Sequence, residues 1–217
     1  MCFSATASFT AGVVLLAVGA VTTSRAPRSA ELPFALIPAI FGVQQLIEGA
    51  LWLTFPDKAP HANSVLTHAY SFFSHVLWPV YVPIAVLLVE REPWRRKVLT
   101  GIALAGAAVG FYLLYILVTQ PVVSEIVGGH INYVSPHFYV AAVVTLYVLA
   151  TCVSSLVSSC MTIRWFGAAT FVALLAAYAF YAFWFISVWC FFAAVLSVIV
   201  LAHVNRRGSP ALSAQSL

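Results

Sequence analysis

Residues 163–203 read IRWFGAATFVALLAAYAFYAFWFISVWCFFAAVLSVIVLAH: 41 residues with one charge, Arg164, near the start and no polar turn between. As a single α-helix the stretch would be about 60 Å long, twice the roughly 30 Å hydrocarbon core of a bilayer. It must therefore hold two crossings with a turn near the middle. Trp184, Ser187 and Trp189 mark an interfacial place for that turn. Working outward, runs of comparable length lie near residues 7–24, 32–55, 63–89, 98–118 and 137–159, with 163–183 and 186–204 completing the set. Runs this long are far beyond barrel strands, so helix is the element that satisfies the backbone in lipid. The fold class is all-α: an integral membrane bundle of about seven transmembrane helices over residues 1–204. A polar tail follows over 205–217 and is expected to be disordered and cytoplasmic. Pro79 and Pro83 are expected to kink the inner half of the third span.

Composition agrees. The chain of 217 residues is 63% hydrophobic and 7% charged, where soluble domains carry about 25% charge. Such a chain has too few polar groups to cover a water-facing surface, and the bilayer is its expected solvent. Nine of the ten basic residues fall on one side of the span alternation: Arg25, Arg28, Arg91, Arg95, Arg96, Lys97, Arg164, Arg206 and Arg207. Lys58 falls on the other. That bias makes the nine-residue side cytoplasmic and the N-terminus external, in a multi-pass cell-membrane protein of bacterial inner-membrane type. Met1 to Thr10 carry no Lys or Arg, so the first apolar run is expected to be a retained span and not a cleaved signal. The cations sit in short loops, which excludes nucleic acid as a partner. Gly106 and Gly110, with Ala103 and Ala107 nearby, have the spacing of a helix-packing face. A dimer interface is one use, and close packing inside the bundle is the favoured one.

With that topology, most ionisable groups gather toward the outer face. Glu48 is the most informative. It lies about 10 Å in from the outer end of span two, where a bare carboxylate costs several kcal/mol; it must be protonated, paired or in a watery cavity. Gln44 and Gln45 lie a turn below it and Trp52 a turn above. Span three carries a stripe at three-and-four spacing, His61, Ser64, His68, Ser71, His75 and Trp78, expected to form an inward polar seam. Antiparallel pairing across the short loop puts His68 at the depth of Glu48, and the two are expected to work as a pair. In the long outer segment 119–137, Gly128 and Gly129 can turn the chain over the bundle mouth and bring His130, Tyr133 and His137 toward Glu48. Cys2 and Cys190 share the outer side, as a disulfide, a ligand or a reactive thiol. Cys152 and Cys160 look like packing residues. No phosphate loop, dinucleotide-binding glycine turn, Gly-x-Ser-x-Gly elbow or His-Glu-x-x-His motif is present. Lys58 and Lys97 are loop residues, so no lysine stands in the last span to hold a retinal.

The opening Met1-Cys2-Phe3-Ser4-Ala5 resembles a bacterial family of small polytopic membrane proteins without an assigned function. Gln45 with Glu48 and Trp52, Gly129-His130 with Tyr133, Pro136-His137 and Ser187-Val188-Trp189-Cys190 resemble the same family. The resemblance marks these positions as a set and implies no reaction. At class level the spans and histidines are similar to ceramidase-like and adiponectin-receptor-like seven-helix membrane hydrolases, which use a zinc site. The histidine pair that those enzymes carry on the last helix has no counterpart here, where His203 stands alone.

Three readings follow. The leading one is a polar pocket, open to the outside, that binds or relays a small ligand, a metal ion or a proton. The second is a metal-dependent membrane hydrolase in which His68, His130, His137 and Glu48 hold zinc, with copper as another candidate ion. The third is a membrane scaffold.

Overall fold

The computed structural model describes residues 4–55, 58–135, 138 and 140–208, the side chains of Phe183 and Arg207 apart. Six of its helices are long and apolar enough to cross a membrane: α1 (Ala5–Ser24), α2 (Ser29–Trp52), α3 (Pro60–Val89), α4 (Pro93–Thr119), α6 (Met161–Phe180) and α7 (Phe185–Arg206). The shorter apolar helix α5 (Ala141–Val157) stands between α4 and α6. An antiparallel hairpin, β1 (Val123–Val127) and β2 (His130–Val134), bridges α4 and α5. Its turn is Gly128-Gly129, with φ of 57° and 79°. Two consecutive positive φ values make the tight turn whose twist matches a hairpin, and glycine reaches both without steric cost.

The helices alternate between two ends. Ser4, residues 53–55, residues 58–59, the hairpin and residues 181–184 lie at one, here called the hairpin end. Residues 25–28, 90–92, 158–160 and the close of α7 lie at the other, the basic end. The turn inside 163–203 falls at Tyr181 to Trp184, a few residues before the expected place. The fifth span is expected over 137–159, but α5 starts only at Ala141, after an extended Val140. The fourth starts earlier than expected, because Pro93 suits a first helical position and draws Trp94 to Lys97 into the helix. Helical backbone runs to Gly208; the remaining tail, 209–217, lies outside the described residues.

Small residues set the helix spacing. A Cβ on Gly19 would stand 2.5 Å from the Cβ of Ala39, so α1 and α2 touch almost backbone to backbone. Gly106 and Gly110 face Pro79 and Val80 of α3 in the same chain, which is close packing inside the bundle. The disturbance in α3 comes just before its prolines, as a π-turn over Phe72–Leu77. Pro79 has no N–H to return to the His75 carbonyl, and wider bonding one turn earlier absorbs the mismatch.

The basic end is tied by Glu90, which is 2% exposed. Its Oε1 accepts from the backbone N–H groups of Arg91 (2.9 Å) and Glu92 (3.0 Å) and from the Ser159 hydroxyl (2.7 Å). Its Oε2 accepts from the Ser159 N–H at 2.6 Å. Burial alone raises this carboxyl's pKa; the donors outweigh burial and hold it at about 2, below the ordinary 4.5. A depressed carboxyl adds stability that is present above 4.5 and disappears as pH falls toward 2. The melting-temperature gap between wild type and Glu90→Gln should therefore be full at neutral pH and close between pH 4.5 and 2.

Candidate functional site

At the hairpin end, Gln44, Gln45 and Glu48 of α2 are each 0% exposed. Because α2 ends at Trp52, Glu48 is four residues from the helix end, about 6 Å, shallower than the sequence suggests. The hairpin supplies the missing cover. Ile131 and Tyr133 on the inward face of β2 pack with Leu51 and Tyr70, and the rings of Tyr133 and Tyr70 stack at 4.4 Å. On β1, the hydroxyl of Ser124 lies 2.7 Å from that of Thr67. The Gly128 turn seats on Trp184, against which the His130 ring also stacks at 4.6 Å.

Ser187, at the start of α7, is a partner of Glu48: its hydroxyl donates to Oε1 at 2.6 Å. Cys190 lies one turn on, with Gln44 and Tyr70 against its thiol. Gln44 Oε1 accepts from the indole N–H of Trp78 at 2.7 Å. Four elements, α2, α3, α7 and β2, thus meet around Glu48, Gln44, Tyr70 and Cys190. The surrounding polar groups are not all satisfied. Both ends of the Gln45 amide and the Trp52 indole N–H, on the same helix as Glu48, are buried with no hydrogen-bond partner. Buried polar groups are nearly always paired.

His68 is not in that site. It is half-buried, and its Nδ1 lies 2.8 Å from the Ser64 carbonyl of its own helix. The ion pairs among the described residues join Glu31 to Arg28 and to His203. The contacts on view are Glu48 with Ser187 and His68 with Ser64, where the sequence suggests a Glu48–His68 pair. The π-turn explains the difference. Before it Thr67, Tyr70 and Ser71 point inward, with His61 and Ser64 exposed; within it Ser74 and His75 do, and after it Trp78 and Val82. A π-turn takes up about one extra residue, so a stripe drawn evenly across it joins two different faces. His75 is 2% exposed, within 2.7 Å of the Ser74 hydroxyl and edge-on to Phe138. Toward the basic end from both His75 and Glu48 is a small void of about 30 Å³, bordered among others by Phe41, Trp78, Val82, Phe166, Trp189 and Cys190. That is room for about one water molecule.

Of the other sequence candidates, Cys190 is a free thiol; Cys2 and His137 lie outside the described residues. Among the described residues, no three His, Cys, Asp or Glu side chains are grouped so as to hold a metal ion. Sequence reasoning missed Glu31 and Glu90 and set Cys160 aside as packing. The available signal was depth: both acids stand where apolar runs begin or end, beside Arg28 and Arg91.

No curated protein and no solved structure matches the chain. The sequence profile of a family of unknown function, DUF6629, matches residues 1–215, nearly the whole chain, and the chain belongs to that family.

Proposed function

We propose that this protein is a seven-pass membrane protein whose hairpin end faces outward, and that it binds a small polar solute, with proton exchange, at Glu48. The observation that carries this is Gln45: a fully buried amide, one helical turn from a buried carboxylate, with neither end paired. A scaffold would gain nothing from such a group, since leaving it unmet costs about 1–3 kcal/mol. Orientation rests on the nine basic residues at the opposite end. The hairpin forms the lid, and entry requires the Tyr133–Tyr70 stack to part.

Gln45→Leu removes the unmet amide, so the purified variant should melt above wild type in detergent. It should also lose any solute-induced stabilisation. The test is a thermal-shift screen of small polar solutes on wild type, Gln45→Leu and Glu48→Gln. A solute that raises the melting temperature of wild type alone supports the reading. No shift with any solute, or equal shifts in all three proteins, overturns it. One zinc or copper per chain by elemental analysis would move the assignment to a metal-dependent hydrolase.

A further inference from the structure

Glu31 begins α2 at the basic end, 17 residues and about 25 Å from Glu48, and forms a second buried cluster there. His203 of α7 lies with Nε2 3.5 Å from Glu31 Oε2. Its other ring nitrogen, Nδ1, lies 3.4 Å from the sulfur of Cys160. The other oxygen of Glu31 accepts from Arg28 Nε at 2.9 Å. His203 and Glu31 are each 1% exposed, and the Phe34 ring holds the imidazole edge-on at 5.3 Å. Cys160 is only partly covered. It is the residue that caps the start of α6, and its side chain makes no capping bond there. The unpaired N–H groups of a helix start stabilise negative charge beside them.

The arrangement is a line and not a ring. Thiol and carboxylate sit at opposite nitrogens of one imidazole, so a single metal ion cannot take all three. Thiol, imidazole and carboxylate in line form the order of nucleophile, base and orienting group. Apo geometry at these distances is loose, as is usual before substrate tightens it.

We propose that Cys160 is a nucleophilic thiol, with His203 as its base and Glu31 positioning His203, and that it accepts an acyl group from an acyl thioester at the basic end. The location favours that substrate class. A thiol at the mouth of an apolar bundle can meet a chain lying in the bilayer. Arg164, one turn along α6, has a buried Nε without a partner and offers a cation to an anionic carrier. His203 takes the thiol proton, and the Cys160 sulfur attacks the thioester carbonyl. The new S–C bond forms as the bond to the carrier sulfur breaks, and the departing thiol takes the proton from His203. One thioester replaces another, so no oxidant or reductant enters.

The test uses the full chain in detergent. Palmitoyl-coenzyme A is added, and Cys160 is examined by peptide mass spectrometry for an acyl adduct that neutral hydroxylamine removes. In parallel, iodoacetamide alkylation of Cys160 is timed across pH against glutathione. Wild type should acquire the adduct and alkylate faster than glutathione below neutral pH. His203→Gln should slow both by about a hundredfold, the scale of a lost general base, and Glu31→Gln should do so by less. Because His203 is buried and its variant can fail to fold, wild type decides alone. Alkylation that tracks glutathione at every pH, or an adduct formed equally on Cys152, overturns the proposal.

Discussion

Ser187→Ala is expected to destabilise the protein by about 1–3 kcal/mol, more if the carboxyl stays ionised, because it strips Glu48 Oε1 of its 2.6 Å donor in a site with no exposed surface. Glu48→Gln should also destabilise, since an amide in the same place can turn its NH2 toward the Ser187 hydroxyl and lose the charge-assisted bond. Once either partner is gone, removing the other costs little more. The double variant should thus fall short of the sum of the singles by about 0.5–3 kcal/mol, the range for side chains in direct contact. His68→Gln should add independently to Glu48→Gln, because its ring bonds to Ser64 and makes no ion pair with Glu48. Denaturation of the five variants in mixed micelles measures both cycles. Additivity of Ser187→Ala with Glu48→Gln would remove the centre of the proposed pocket. Coupling of His68 instead would restore the pairing suggested by sequence depth.

Gly106→Ala is expected to be at least as damaging, about 1–3 kcal/mol or loss of the fold, for a reason unrelated to polarity. A Cβ there would lie 2.1 Å from the Pro79 carbonyl oxygen and 3.0 Å from the Cβ of Ala150. The first obstacle is backbone, which no rotamer change relieves. That carbonyl is available to α4 because Pro83, four residues on, has no N–H to give it; a bare glycine Cα can close on it as a weak C–H donor. Gly110→Ala meets a movable side-chain atom, Val80 Cγ2 at 2.6 Å, and should cost less. Gly101 has nothing within 4 Å of a new Cβ, so Gly101→Ala should stabilise by about 0.5–1 kcal/mol through backbone entropy alone. Melting temperatures that fail to rank Gly101→Ala, Gly110→Ala and Gly106→Ala in that descending order would show that α3 and α4 do not pack this way.

The helical bundle and its apolar helices were legible because hydropathy and length are properties of each segment by itself. So was the turn within 163–203, which length alone demands. The Gly128-Gly129 turn and the weight on Glu48 were legible for the same kind of reason. Local chemistry dictates them: positive φ in one case, the cost of a carboxylate in an apolar run in the other. What meets Glu48 was not. The partner, Ser187, is 139 residues away, and the His203 contact to Cys160 spans 43. Hydropathy puts a residue in an apolar run but does not say which way it points. That direction depends on how each helix is rotated about its axis. In α3 the rotation changes at the π-turn, which carries His68 off the inward face and brings Tyr70 onto it. The hairpin lid depends equally on docking, since β2 has an inner face only because Leu51, Tyr70 and Trp184 are there to receive it. Sequence by itself determined the apolar helices, the hairpin turn and the burial cost of Glu48. The rotation of packed helices, set by close contacts such as Gly19 on Ala39 and Gly106 on Pro79, decided which polar groups touch.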